Sequence, residues 1–339
     1  MKKILALVSA SFLVLASCQN PVSSSQASGV TVTVNTTGSR ALNGATTVKL
    51  NVFNSSGAQV GSTQTSSTSP FKFSVPISTN GSYTFAVEGF SGTSVVAVGN
   101  TTQNITGATS LTITAATPPT PDMTSTATLT GWGTALGTGS GNSWAAVVGS
   151  TYATSDGTYL YVSTIMNPQN AGNNIYVLVD NTSMSGGEDV TAANPLGWGS
   201  LWITSDTAGV NFDYGWAAYR GATPGATITV GAEKSVASSG TESAVATPAT
   251  FAQYATGTTN TDVATYKWKI PYSDLGTGAL MGQAVKVYIL YGMGGNGSSA
   301  STSNGIRSTY PAQTAMSSVT SSTVGLATFD TAAPAVILN

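Results

Sequence analysis

The chain has 339 residues, 11 basic and 13 acidic side chains, and no histidine. Only 7% of residues are charged, against about 25% in an ordinary soluble protein. Few cations and a net negative charge argue against a nucleic-acid binder, and the missing histidine excludes histidine triads and histidine metal sites. Gly, Ser and Thr make up about two fifths of the chain, yet 41% of residues are hydrophobic, so a folded, strand-rich protein is expected rather than disorder.

The chain opens MKKILALVSASFLVLASC. Lys2 and Lys3 form a positive head, and Ile4 to Leu15 form an apolar run too short to span a bilayer stably. That is the layout of a secretory signal peptide. Leu15-Ala16-Ser17-Cys18 resembles the lipobox of bacterial lipoprotein precursors. In that family the cysteine thiol receives a diacylglyceryl group and becomes the new, usually acylated, N-terminus. Cys18 is the only cysteine, so it has no intrachain disulfide partner. The resemblance implies a membrane partner through the lipid anchor. Gln19 at the next position points to the outer membrane or cell surface rather than the inner membrane.

On this reading residues 1–17 are the signal peptide and residues 18–28 a small, polar, flexible tether. Residues 29–116 show short alternating runs: Val30, Val32 and Val34; Val48, Leu50 and Val52; Phe71, Phe73 and Val75; Tyr83, Phe85 and Val87; Leu111 and Ile113. Alternation of this length predicts half-buried strands, and their number predicts a small immunoglobulin-like sandwich acting as a spacer. Residues 117–122 (TPPTPD) read as a stiff proline-rich linker.

Residues 123–339 carry all six tryptophans and most of the tyrosines. Strands are expected at 143–148, 151–155, 158–165, 174–180, 200–204, 210–219, 226–231, 264–270, 284–291 and 323–329, with a hairpin turn at Ser155-Asp156-Gly157. The expected fold class is all-β throughout, the second unit being a larger β-sandwich or jelly roll.

Three stretches in this second unit, 157–162 (GTYLYV), 174–180 (NIYVLVD) and 266–276 (YKWKIPYSDLG), resemble in order and spacing the group of family 9 carbohydrate-binding modules and DOMON-like domains. The pattern departs at Lys267 and Trp268, near a common glutamate, and at Tyr272, where a tryptophan is common. The resemblance implies a β-sandwich and a glycan or other extracellular ligand.

Candidate ligand-binding residues are Trp198, set between glycines in a loop, with Trp202, Tyr214 and Trp216 nearby in sequence. An indole stacks its ring on sugar C–H groups and donates its N–H to a hydroxyl. The competing reading is that Phe212, Tyr214, Trp216 and Trp268 are core. Asp180, Asn181, Glu188 and Asp189 supply oxygen ligands of the kind calcium takes, the alternative being a solvated turn. Glu188, Asp189, Glu233 and Glu242 are the carboxylates a glycoside hydrolase would need, but none lies in an enzyme motif. Ser69-Pro70-Phe71-Lys72 fits Ser-x-x-Lys without its companion motifs. The expected function is therefore non-catalytic: a lipid-anchored envelope protein whose distal sandwich binds carbohydrate or another extracellular ligand. The alternative is a structural or adhesive surface lipoprotein without a small-molecule site.

Overall fold

The computed structural model describes residues 28–35, 42–142, 145–147, 149–167, 173–182, 188–189, 201–203, 211–212, 214–220, 228–236, 242–244, 250–255, 264–275, 281–293, 306–312, 325–327 and 332–339. Residues 18–27 of the expected tether, Cys18 among them, and Trp198 lie outside them, while Ser28 already belongs to the first described strand. The described chain is all-β, a small sandwich followed by a larger one, with two short 3-10 turns at Leu42–Gly44 and Tyr272–Asp274.

The first sandwich uses β1 (Ser28–Asn35), β2 (Thr47–Asn54), β3 (Gln64–Ser66), β4 (Lys72–Ile77), β5 (Gly81–Ser91), β6 (Ser94–Ile105) and β7 (Thr109–Thr114). One sheet has the order β4-β1-β7 and the other β3-β2-β5-β6. β1 sits in the middle of its sheet. It runs antiparallel to β4, from Ser28 opposite Ile77 to Thr33 opposite Lys72, and parallel to β7, from Val30 opposite Thr109 to Asn35 opposite Thr114. The expected alternation is clearest in β4, where Phe73, Val75 and Ile77 are buried and Lys72, Ser74 and Pro76 exposed. Val30, Val48, Leu50, Phe73, Phe85 and Ile113 meet in one core drawn from both sheets.

β2 departs from this pattern. Leu50, Asn51, Val52 and Phe53 are all buried. Leu50 and Val52 face the core, while Asn51 and Phe53 point outward into the second sandwich. Asn51 Nδ2 donates to the carbonyl of Met281 at 3.1 Å. Gly282 lies so close that a Cβ there would come within 2.7 Å of the Phe53 ring and 2.8 Å of the Ala86 methyl. Its φ of +95° also favours glycine.

The second sandwich holds β8 (Ala135–Thr138), β9 (Ser140–Asn142), β10 (Ala145–Val147), β11 (Ser150–Ser155), β12 (Tyr159–Asn167), β13 (Asn173–Asn181), β14 (Glu188–Asp189), β15 (Leu201–Ile203), β16 (Asn211–Phe212), β17 (Tyr214–Arg220), β18 (Ile228–Val236), β19 (Glu242–Ala244), β20 (Thr250–Ala255), β21 (Ala264–Pro271), β22 (Ala284–Met293), β23 (Ile306–Tyr310), β24 (Gly325–Ala327) and β25 (Ala335–Ile337). Fourteen of these form one continuous sheet along the path β19-β18-β17-β13-β22-β23-β9-β10-β12-β11-β8, with β21 beside β12, β20 beside β21 and β25 beside β22. Side chains of β12 and β21 (Leu160, Val162, Tyr266, Trp268) share a core with those of β13 and β22 (Val177, Val287). The sheet therefore folds over on itself, and the short strands β9, β10 and β23 make the corner. Two small pairs, β14 with β16 and β15 with β24, complete the described strands.

Several strands were not foreseen from sequence: β3, β6, β8, β9, β20, β23 and β25 among them. β6 shows why. Ala97 and Val98 are both buried, because one faces the core and the other pairs with Ala116, and its far half is polar on both sides. Neither half alternates in the manner of a half-wet strand.

Candidate functional site at the junction of the two sandwiches

The described residues that cluster chemically lie where the hairpin turn between β11 and β12 meets β5 and β6. Asp156 organises the turn. Its Oδ1 accepts the backbone N–H of Thr158 at 2.9 Å and of Tyr159 at 2.8 Å. Its Oδ2 accepts the hydroxyl of Tyr161 at 2.7 Å. Both carboxylate oxygens are thus engaged within the chain. Gly157 follows with φ +91°, a conformation that disfavours a side chain, and a Cβ there would sit 3.0 Å from Oε1 of Glu88. The turn therefore rests directly on β5.

Glu88 lies beneath this turn. Burial pushes its carboxyl up to about 7, against the pull of Lys49 across the strand pair. Lys49 places its ammonium 4.5 Å from the Phe90 ring centre. Tyr272, from the 3-10 turn, donates its hydroxyl to the carbonyl of Asn339 at 2.8 Å. Burial raises the pKa of that phenol, and so it stays a neutral donor. Asn339 N–H in turn donates to Ser155 Oγ at 2.7 Å, and Asn100 Nδ2 donates to Asn339 Oδ1. Residues from both sandwiches are thus tied through one short segment.

An aromatic group flanks the turn. Trp132 meets Tyr161 edge-on, ring centres 6.2 Å apart, and Tyr159 lies 6.3 Å from Tyr161. Lys269 holds its ammonium 3.9 Å above the Tyr159 ring, a favourable cation–π distance. Trp132 is fully buried and donates its indole N–H to the carbonyl of Asp122 at 3.2 Å.

The segment after the prolines is pinned as well. Lys267 is 1% exposed, and its ammonium donates to the carbonyls of Thr128 at 2.7 Å and Thr124 at 3.1 Å. The Asp122 carboxylate stands 3.7 Å away. Burial lowers the pKa of Lys267, and Asp122 opposes the shift. Hydrogen bonds from the Thr124 hydroxyl and backbone hold Asp122 down to about 2, with Lys267 adding to the effect. The proline-rich segment 117–122 consequently ends in a charged anchor on β21. Between this segment, Val95 and Val96 of β6, and Asp156 and Thr158 of the turn, an open groove encloses about 640 Å³.

The residues singled out from sequence are placed elsewhere. Asp180 and Asn181 end β13. Asp180 pairs with Lys286 at 3.5 Å, and Asn181 Nδ2 donates to Gln283 Oε1 at 3.4 Å. Both residues are buried. Glu188 and Asp189 form β14 opposite Phe212 and Asn211. Among the described residues no group of three or more His, Cys, Asp or Glu is arranged to hold a metal. Trp202 lies in β15 opposite Leu326. Tyr214 and Trp216 lie in β17 opposite Val179 and Val177, two residues of the core-facing side of β13. Trp198 lies outside the described residues, and so do the side chains of Trp202, Tyr214, Trp216, Glu188 and Asp189.

The junction itself was not foreseen as a site. Its signals were in plain sight as pieces: the Asp156-Gly157 turn, the Tyr159-x-Tyr161 strand, and the alternation of Lys267 and Lys269 with aromatics. What sequence did not show is that Glu88, far away in the chain, completes them.

No family model matches the chain, and no curated protein matches it. Among solved structures it is similar to a DUF3823 family protein from Parabacteroides merdae, at 13% identity and a TM-score of 0.18, over 72% of this chain and 97% of the other. A DUF3823 family protein from Bacteroides ovatus matches at 12% identity and a TM-score of 0.19, over 56% of this chain and 88% of that one. A DUF4876 family protein from Bacteroides thetaiotaomicron matches at 11% identity and a TM-score of 0.18, over 57% of this chain and 44% of that one. Among the described residues no helix is long and apolar enough to cross a membrane.

Proposed function

We propose that the chain is a lipid-anchored protein of the bacterial cell envelope, held through Cys18 and presenting a non-catalytic sandwich to carbohydrate or another extracellular ligand. The observation that carries this reading is Leu15-Ala16-Ser17-Cys18 behind a short apolar run, with a polar tether after it and a β-sandwich beginning at β1. Acyl chains contribute about 0.8 kcal/mol per buried CH₂, so two or three give a lasting anchor where one is marginal. The outer membrane or cell surface is the expected location.

The test is Cys18→Ser. The expected outcome is loss of palmitate labelling, with the protein shed into the medium or left as unprocessed precursor. Normal membrane retention of this variant overturns the reading. For the ligand, the probe is affinity electrophoresis against a glycan panel with and without calcium, comparing the native chain with Trp198→Ala. Expected is retention by at least one glycan, reduced in the variant.

A second reading has its own support. The described junction spends its polar groups within the protein: Asn51 and Asn100 of the first sandwich bond Met281 and Asn339 of the second, both oxygens of Asp156 are engaged inside their own turn, and Lys267 is locked onto the 122–128 segment. A structural or adhesive protein without a small-molecule site uses its polar groups in this way. No retention by any glycan, with an intact fold, favours it.

A further inference from the structure

The position of β1 has a mechanical consequence. Most of a sandwich's strands are loaded sideways when its ends are pulled, so ladder hydrogen bonds open one after another. β1 is different. It is the first of the described strands, yet it lies between two partners rather than at an edge. The tether joins it at Ser28, the end that lies beside Ile77 of β4 and near Thr109 of β7. Residues 19–27 span at most about 30 Å when extended, so tension reaches β1 with little slack.

β7 runs parallel to β1, and so its C-terminal end, Thr114, lies at the opposite end of the pair. The chain leaves from there toward the second sandwich. Tension between tether and second sandwich therefore acts along the strand axis, in opposite directions on β1 and β7. The second sandwich also grips the outer face of β2 and β5 through Asn51, Phe53 and Ala86. Through β7 the pull draws β1 along its own axis. Sliding loads its six register pairs with β4 and its six with β7 together, rather than in sequence. It also drags Val30, fully buried, through the core.

We propose that the first sandwich is a load-bearing clamp, built so that tension on the N-terminal tether shears the central strand β1 against β4 and β7 at once. This further function rests on the anchored reading for its source of tension, but its test does not require a lipid.

The experiment is single-molecule pulling of the full chain carrying Cys18→Ser and terminal tags. Held by the two tags, the chain is loaded in shear. In a second form, Thr106→Cys supplies a thiol in the exposed turn between β6 and β7, and the chain is held by the N-terminal tag and that thiol. Both handles then lie at the same end of the β1–β7 pair, and the ladder is peeled. The event of interest releases about 300 Å of chain, the contour of the first sandwich. Expected is an unfolding force several-fold higher in shear than in peeling. Equal forces in the two geometries, or release of this length at the lower force when pulled tag to tag, overturn the clamp. The Thr106→Cys chain pulled by its two tags must keep the high force, which shows that it is folded. If it does not, Ala108→Cys in the same turn takes its place. Failure of the anchored reading shows separately, as absence of acylation at Cys18.

Discussion

β4 and β21 are both short strands in packed sheets, and their burial differs completely. In β4 every second residue is exposed. In β21 no residue is exposed, although its sequence alternates lysine with aromatic and aliphatic side chains just as cleanly. The difference lies in what covers the second face. Water covers the outer face of β4, whereas residues 122–132 cover that of β21, with Asp122 and the carbonyls of Thr124 and Thr128 receiving Lys267. Alternation thus marks a change of chemistry from face to face. It does not say that the polar face is wet.

The largest expected effect tests the face that both strands share with a core. Trp268→Ala removes a fully buried indole and is expected to cost about 3–5 kcal/mol. Chemical denaturation followed by the remaining tryptophan fluorescence reads this cleanly, because every tryptophan lies in residues 123–339. A cost below 1 kcal/mol would mean that the second core is not packed around this side chain.

The next effect concerns the covered outer face of the first sandwich. Gly282→Ala drives a methyl into Phe53 and Ala86 at a positive φ, at an expected cost of about 2–3 kcal/mol. Calorimetry should show the two sandwiches melting further apart, since the contact between them is what suffers.

Glu88 gives a pH signature of the same contact. Its carboxyl is raised in the fold from 4.5 to about 7, so the folded state prefers the neutral form. Its contribution is fully present below about pH 4.5 and is lost as pH rises to 7, on the order of 2 kcal/mol over that window. Melting temperature against pH should show this fall, and Glu88→Gln should flatten it. An unchanged slope in the variant assigns the fall to another group.

The smallest effect separates filling from charge on the outer face of β21. Lys267→Ala leaves the Thr124 and Thr128 carbonyls without their donor and is expected to cost about 1–2 kcal/mol. Lys267→Met loses the same donor but keeps most of the volume, so it leaves no cavity and is expected to cost less. If methionine costs as much as alanine, the face depends on the charge and not on being covered.

The all-β class and the first sandwich were legible because β2, β4, β5 and β7 show the alternation of a one-sided sheet. The junction was not. Asn51 and Phe53 read as an ordinary outward face, and nothing local tells that Met281 and Gly282 cover them. The proline-rich segment read as a linker, because proline composition reports stiffness but not that Asp122 is tied to Lys267. Asp180 and Asn181 read as the strand end they occupy in β13, but their partners Lys286 and Gln283 were not legible. In each case the missing information is a partner more than 50 residues away in sequence.

The central place of β1 also sets a timetable. A chain made from its N-terminus delivers β1 before either of its partners. β4 begins at Lys72, and β7 ends at Thr114. Contacts so distant along the chain are slow to form, because the loop must close before any contact rewards it. The first strand to arrive thus gains its second partner only when the chain is complete to Thr114, and until then one of its two ladders has nothing to close on.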